Sequence, residues 1–155
     1  DGQKILDLGT GTGVLPRNMY CYGGIWTGTD ISEEQIEQAK HLSAGMNIDY
    51  KAVATEKIDF PAESFDVITA CQCFWYFDHE SVMPNLYRML KPGGMFLICN
   101  ESSGDTDKDE KWTKIIDGMT IYKDVELKAE LEQAGFCDVQ IHKNKWGWLC
   151  VTARK

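Results

Sequence analysis

The segment Ile5-Leu6-Asp7-Leu8-Gly9-Thr10-Gly11-Thr12-Gly13 decides the fold of this chain. Its apolar start predicts a short strand over Lys4 to Leu8, and its three glycines predict a tight turn after that strand. A helix is predicted next, over Val14 to Tyr22, with its first N–H groups directed at whatever lies over the turn. This order is typical of a ligand-binding βα unit, although such a turn also occurs without any ligand.

The spacing of the glycines separates two classes of ligand. The dinucleotide fingerprint G-x-G-x-x-G places its third glycine three residues after the second, but here that position is Val14 and Gly13 comes one residue earlier. A pyrophosphate depends on the helix N-terminus as an anion site. The shorter spacing therefore favours a ligand without a pyrophosphate. Asp7, just before the turn, is expected to hold the N–H groups of the turn or to meet an ammonium group.

Asp30 ends a second predicted strand, Ile25 to Asp30. It lies about 20 residues beyond the glycine turn, where a carboxylate can accept hydrogen bonds from both hydroxyls of a ribose. The alternative is an aspartate that only opens the next helix. Ser32 and Gln35 already form a predicted capping box, S-x-x-Q, for that helix, which weakens the alternative.

Strands and helices alternate along the rest of the chain, which predicts parallel βαβ units. The fourth strand, FDVITAC, is nearly continuous in apolar residues, as expected for a strand buried on both faces. The link Lys143-Asn144-Lys145 predicts an antiparallel hairpin at the end. The remaining predicted strands cover Ile48 to Val53, Phe65 to Cys71, Met95 to Asn100, Phe136 to His142 and Trp146 to Ala153. The remaining predicted helices cover Ser32 to Gly45, Glu80 to Leu90 and Val125 to Ala134, and Pro84 is expected in the first turn of the second of these, with a start near Ser81. Residues 101–111 are predicted to form an exposed loop, and the segment 112–122 is ambiguous.

Five segments resemble class I S-adenosylmethionine (SAM)-dependent methyltransferases of the small-molecule type, similar to their type 11 and type 25 domains. They are ILDLGTGTG, TGTDISEEQIEQA, IDFPAESFDVITA, YRMLKPGGMFLI and LEQAGF, and they follow that family's order and spacing. The resemblance implies an α/β fold, a Rossmann-like three-layer sandwich, as a single SAM-binding domain over residues 1–155. It also implies a seven-stranded, mostly parallel sheet of order 3-2-1-4-5-7-6 with strand 7 antiparallel.

The resemblance also implies a SAM site and its residues. The family's acid for the adenine amino group aligns with Ala54, so either Glu56 replaces it or backbone groups suffice. Family members usually carry an N-terminal helical segment before the glycine turn, and this chain lacks one, so we expect a fragment or a short member. The implied contacts are Gly9, Thr10, Gly11 and Gly13 along the methionine and ribose, Asp30 on the ribose hydroxyls, Ile31 on adenine, Thr55 and Glu56 at the adenine edge, and the Cys71 carbonyl at the methionine ammonium. Asp7 is counted with them as a cofactor-binding residue through its place before the turn.

An aromatic run, Phe74-Trp75-Tyr76-Phe77, follows the fourth strand. Ligands of open α/β sheets bind beyond the carboxyl ends of the strands, so these rings are substrate candidates. We expect Phe74 and Phe77 to be core residues. For Trp75 and Tyr76, packing in the core and contact with the substrate stay equally open.

No catalytic residue and no metal site is assigned. His79 is expected to be a solvated residue of a first helical turn rather than a general base. Cys71-x-Cys73 alone is a weak signal for a soft metal. Trp146 and Trp148 are expected to pack against helices.

Composition limits the partners. A net charge of −8, a pI near 4.8 and no basic cluster argue against nucleic acid, whose binding depends on Lys and Arg. No apolar run reaches the roughly 18 residues of a membrane span and no signal peptide is present, so we expect a cytoplasmic protein with reduced cysteines and no membrane partner.

The predicted activity is SN2 methyl transfer from SAM to an unidentified small molecule. The alternatives are an NAD-dependent Rossmann oxidoreductase and a non-catalytic methyltransferase-like partner protein, and the oligomeric state is open.

Overall fold

The strands assemble into one mixed sheet. The computed structural model describes residues 2–101, 114–116 and 118–155. Its strands are β1 (Lys4–Leu8), β2 (Ile25–Asp30), β3 (Ile48–Ala52), β4 (Phe65–Cys71), β5 (Leu90–Glu101), β6 (Cys137–Lys143) and β7 (Trp148–Arg154). They lie in the order β3-β2-β1-β4-β5-β7-β6, and β7 runs antiparallel to both of its neighbours. The predicted topology is thereby confirmed.

Four helices with both ends in the described residues connect or follow the parallel strands. They are α1 (Val14–Met19), α2 (Glu33–Leu42), α3 (His79–Met89) and α4 (Asp124–Gln133). Single 3₁₀ turns lie at Tyr20–Tyr22, Thr55–Lys57 and Phe74–Tyr76. The predicted helix over 14–22 thus ends as an α-helix at Met19. Most of the predicted loop over 101–111 and part of the ambiguous segment over 112–122 lie outside the described residues.

The start of α3 differs from the sequence expectation. The helix begins at His79, where the Asp78 carbonyl accepts from the Val82 N–H at 2.9 Å, and Pro84 lies in the helix interior. The prediction of a first-turn proline is wrong. Proline removes one backbone hydrogen bond from a helix, and the burial of Val82, Met83, Leu86 and Met89 against the sheet outweighs that loss.

The larger core lies on the face of the sheet that packs against α3 and α4, which we call the α3/α4 face. Its cluster joins strand residues to helix residues, among them Leu6, Leu8, Ile68, Phe96, Val82, Leu86, Leu127 and Leu131. On the opposite face, Ile36 and Ala39 of α2 pack on Tyr50. Tyr50 is in register with Gly28, and the register continues through Asp7, Thr69 and Leu97. We call the face that carries these five residues the α2 face.

The final hairpin leaves two tryptophans in contact with solvent. Trp146 lies in the turn and is 72% exposed, and Trp148 begins β7 and is 40% exposed. The prediction of packing against helices is wrong for Trp146, because most of its side chain contacts solvent, whereas for Trp148 it stays a prediction. Within the part of the chain that is described, no helix combines the length and apolarity needed to cross a bilayer.

Candidate functional site

A cavity of about 390 Å³ lies at the carboxyl edge of the sheet, where β1, β2, β3 and β4 end. Its volume is within the range of small-molecule sites, roughly 300–1,000 Å³. Such a position is where open α/β sheets bind ligands. The lining residues are Gly9, Asp30, Ile31, Ala54, Thr55, Glu56, Gln72, Cys73, Tyr76 and Phe77. Of the predicted site residues, the cavity therefore brings together Gly9, Asp30, Ile31, Thr55, Glu56 and Tyr76, whereas Asp7, Thr10, Gly11, Gly13, Cys71 and Trp75 do not line it.

The glycines of the turn have different roles. Gly9 has φ +57°, and a Cβ there would lie 2.6 Å from the Cβ of Cys73. Only glycine therefore lets the turn meet the segment after β4 at the cavity wall. Gly13 has φ +74°, and a Cβ there would overlap the ring and hydroxyl of Tyr50. Gly13 thus serves the packing of the α2 face instead of lining the cavity.

Asp30 joins the glycine turn to the start of α2. Its Oδ2 accepts the Gly11 N–H at 2.8 Å, and its Oδ1 accepts the Ser32 N–H at 3.0 Å. The predicted capping box is only half formed, because Ser32 Oγ accepts from the Gln35 N–H at 3.2 Å while Asp30, not the Gln35 side chain, holds the Ser32 N–H. Asp30 thus opens the helix and also lines the cavity. Each carboxylate oxygen keeps a further acceptor position.

Asp7 lies beneath the turn. Its two oxygens accept the hydroxyls of Thr10 and Thr69, each at 2.6 Å, and the residue is only 2% exposed. Burial raises the pKa of this carboxyl to about 6. The two hydrogen bonds lower the pKa by less than burial raises it, and the negative charge of Asp30 adds a smaller increase. Asp7 therefore fixes the turn through the Thr10 side chain, and not through the N–H groups as the sequence suggests.

The wall near the end of β3 carries an apolar surface and one acid. Ile31 is 77% exposed beside Asp30. Ala54 lines the cavity without a polar side chain, and Glu56 supplies the carboxylate on this side. Glu56 Oε1 has only a long contact, 3.4 Å, with the Asp78 N–H. Its carboxylate is therefore available to a ligand.

The aromatic run divides between the core and the cavity. Phe74 and Trp75 are buried at 0% and 2% exposure, and the Trp75 ring packs 5.9 Å from that of Tyr122. Trp75 is therefore a core residue here and not a substrate candidate, because the 3₁₀ turn directs it inward. Phe77 packs on the core and also lines the cavity, while Tyr76 is 48% exposed and lines the cavity.

His79 is buried, which corrects the expected solvated position. Its Nδ1 lies 2.8 Å from Glu130 Oε2, and its Nε2 lies 2.9 Å from the Phe74 carbonyl oxygen. The ring also stacks on Tyr122 at 4.5 Å. Both nitrogens are engaged, so His79 has no free nitrogen for proton transfer. It borders a separate cavity of about 390 Å³ between α3 and α4.

The two cysteines of the C-x-C pair contact different parts of the sheet. Cys71 is in register with Cys99 on β5, and burial raises the pKa of its thiol to about 12. Cys73 donates its thiol to the Leu8 carbonyl at 3.1 Å, and burial raises its pKa well above the ordinary value. Among residues 2–101, 114–116 and 118–155, no group of three or more His, Cys, Asp or Glu could hold a metal ion.

Four residues that line the cavity are not among the predicted site residues, namely Ala54, Gln72, Cys73 and Phe77. Gln72 and Cys73 line the cavity, and Gln72 adopts φ +63°. A glutamine carries no sequence signal for a left-handed backbone, so this position is visible only in the structure. The contact of Cys73 with the glycine turn is likewise formed between segments far apart in the sequence.

Comparison with known proteins gives one family. A family model described as "Methyltransferase domain" matches residues 6–98. Over 98 residues the chain is 37% identical to a ubiquinone biosynthesis O-methyltransferase of Pseudomonas putida (strain W619), a match that covers 60% of this chain and 42% of that protein. Over 159 residues it is 27% identical to an S-adenosyl-L-methionine-dependent Diels-Alderase, iccD, of Talaromyces variabilis, covering 90% of this chain and 54% of that protein. The chain thus spans about half the length of these relatives.

A solved structure shares the fold. Phosphoethanolamine N-methyltransferase 2 of Haemonchus contortus in complex with S-adenosyl-L-methionine superimposes with a TM-score of 0.86 at 18% identity, covering 99% of this chain and 49% of that one. At this identity the likeness concerns the fold alone.

Proposed function

This chain belongs to the class I methyltransferase domain family, and from that premise we propose that it transfers the methyl group of SAM to a small-molecule acceptor by direct SN2 displacement. The proposed cofactor site is the cavity at the carboxyl edge of β1 to β4. The glycine turn, Asp30 and Tyr76 form parts of its wall.

The anchored carboxylate of Asp30 carries this proposal. The Gly11 and Ser32 N–H groups fix its orientation, each oxygen keeps a further acceptor position, and the residue lines the cavity. Two fixed acceptor oxygens side by side match the two hydroxyls of a ribose. A ligand with a single hydroxyl would not need two fixed acceptor oxygens.

The residues beside Asp30 also fit an adenosine. Ile31 presents an exposed apolar side chain on which a purine ring would pack. Glu56 supplies the acceptor that the aligned position, Ala54, lacks. We assign Glu56 to the exocyclic amino group of adenine, which offers two N–H donors. The resemblance assigns the backbone carbonyl of Cys71, which ends β4 next to the lining residue Gln72, to the ammonium of the methionine part.

The chemistry needs little from the side chains beyond alignment. Bound SAM supplies an already activated methyl group. The glycine turn and Asp30 fix the donor, and the wall formed by Tyr76 and Phe77 shields it from water and limits where an acceptor can approach. Alignment of this kind can lower a reaction barrier by roughly 7–11 kcal/mol. No general base is assigned, because His79 is fully engaged.

Oxygen nucleophiles are the acceptors to test first. The relative with 37% identity is named an O-methyltransferase. Tyr76 offers both a ring and a hydroxyl at the cavity, which suits a planar hydroxylated acceptor. The acidic net charge of −8 makes nucleic acid a poor candidate.

Calorimetry with SAM and with its product S-adenosylhomocysteine (SAH) tests the cofactor assignment. We expect both to bind, and Asp30→Ala to weaken SAH binding about tenfold to a hundredfold, because each hydrogen bond to a charged acceptor contributes about 1.5–3 kcal/mol. Asp49→Ala is the matched control, since Asp49 is an exposed β3 residue that pairs with Lys51 outside the cavity. Equal affinities for SAH in the two variants would contradict the assignment.

The rival functions give different results in the same assay. An NAD-dependent oxidoreductase would bind NADH and not SAH. A non-catalytic partner, or a SAM-binding enzyme that transfers no methyl group, would bind SAM without releasing SAH. A screen of hydroxylated aromatic acceptors with radiolabelled SAM separates these cases from methyl transfer.

A further inference from the structure

Gln72 occupies an unusual place in the chain. It is the first residue after β4, it lines the cavity, and its backbone is left-handed with φ +63°. Among the described residues, only Glu63 and Asp138 share such a backbone without being glycine. Neither of those lines the cavity. A residue with a long side chain is disfavoured in this conformation, and such strain concentrates at functional sites.

Two hydrogen bonds tie Gln72 to the neighbouring strand. Its N–H donates to the Cys99 carbonyl at 2.8 Å, which continues the β4–β5 pairing by one residue. Its side-chain Oε1 accepts the Glu101 N–H at 3.3 Å. Gln72 therefore clamps the end of β4 to the end of β5 with both backbone and side chain.

The clamp determines where the next residues lie. The left-handed turn at Gln72 directs Cys73 toward β1, where its thiol bonds the Leu8 carbonyl and its Cβ fills the space left by Gly9. The following 3₁₀ turn then buries Phe74 and places Tyr76 at the cavity. The backbone of Gln72 thus determines both the position of Cys73 below the glycine turn and the position of Tyr76 at the cavity.

We propose that Gln72 is a positioning residue, whose bond to Glu101 fixes the wall formed by Cys73, Tyr76 and Phe77 in the arrangement that receives the cofactor and the acceptor. This assignment rests on the proposed function of the same cavity. It gives the side chain a role at a position where glycine would fit the backbone better. The side chain contributes the clamp, which glycine cannot provide.

Two substitutions and one control test the proposal. Gln72→Gly removes the clamp and relieves the backbone strain, and Gln72→Asn tolerates the left-handed backbone but is too short to keep the bond to Glu101. We expect both to weaken SAH binding five- to tenfold in calorimetry and to speed hydrogen exchange of the Glu101 amide. Gln72→Gly should not lower the melting temperature. Glu63→Gly relieves the same strain at an exposed position outside the cavity, and it should leave SAH affinity unchanged.

The outcomes are distinguishable. If the unaltered chain binds SAH and the Gln72 variants bind it with an affinity within twofold of that value, the positioning role is overturned. The proposed function then stays intact. Loss of affinity that appears only with a lower melting temperature, without faster exchange at Glu101, assigns Gln72 to general stability and also overturns the role. Failure of the unaltered chain to bind SAH overturns the proposed function and this inference together.

Discussion

The two faces of the central strands differ in how completely helices cover them. On the α3/α4 face, Ile68, Phe96 and Leu149 are all 0% exposed. On the α2 face, Val67 and Leu97 are only half-buried, although they adjoin those residues in the same strands. Parallel strands are usually buried on both faces. The nearly continuous apolar pattern of β4 therefore predicts more burial than the described residues provide.

This difference separates stability from function in the molecule. The α3/α4 face gathers the large side chains into one cluster that packs against two helices. The α2 face carries the buried carboxyl of Asp7, the glycine turn that rests on it and the packing of Gly13 on Tyr50. We infer that one face contributes most of the free energy of unfolding and that the other holds the parts of the cavity in place.

The largest effect is expected from removing the same side chain on each face. Leu149→Ala should lower the free energy of unfolding by about 2–5 kcal/mol, because it leaves a cavity among fully buried side chains. Leu97→Ala should cost about 1–2 kcal/mol, because part of that side chain already meets water. Urea denaturation measures both variants. Equal losses of unfolding free energy would contradict the inference that the α3/α4 face contributes most of the stability.

A smaller, pH-dependent effect is expected at Asp7. Its folded-state pKa of about 6 lies above the ordinary 3.8, so the folded chain holds a proton that the unfolded chain has already released. Stability contributed by this group is complete below pH 4 and is lost as the pH rises to about 6, a change on the order of 2–3 kcal/mol. Asp7→Asn should remove that loss in urea titrations at pH 4.5, 6 and 7.5.

Asp66 gives a control of opposite sign. Hydrogen bonds from Lys91 and from the Lys4 N–H lower its pKa, so its contribution is present above the ordinary pKa and declines as the pH falls. Asp66→Asn should therefore reduce stability at pH 7 and not at low pH. A parallel pH response of the two variants would contradict the assigned roles.

The smallest expected effect is a gain in stability on the α3/α4 face. Asn100 is 0% exposed, and neither polar atom of its amide has a hydrogen-bond partner among the described residues. Asn100→Leu should raise the free energy of unfolding by about 1–2 kcal/mol, because an unpaired buried amide is costly. Ser43→Ala is the matched control, since the Ser43 hydroxyl bonds that of Tyr50 at 2.9 Å, and it should cost about 1 kcal/mol. A loss of stability in Asn100→Leu would show that the amide has a partner in solution.

The sequence predicted much of the site because several signals are local. Gly9 could be assigned from the glycine motif, Asp30 from its place at the end of a strand, and Ile31 from the resemblance, and all three line one cavity. Trp75 and His79 could not be placed, because their surroundings come from Tyr122 and Glu130 far along the chain. Pro84 misled the prediction of the helix start, because local cost was weighed without the burial that offsets it.

By itself, the sequence determined the alternation of strands and helices, the family, and the hairpin that reverses the last strand. The alternation and the hairpin follow from periodicity, glycine and turn residues, which act over a few neighbours, and the family follows from the resemblance of five segments. Only the tertiary structure decided which face of the sheet is covered, which aromatic side chains reach the cavity, and that Gln72 adopts a left-handed backbone to clamp β4 to β5. These depend on contacts between distant segments, whose energies no local pattern contains.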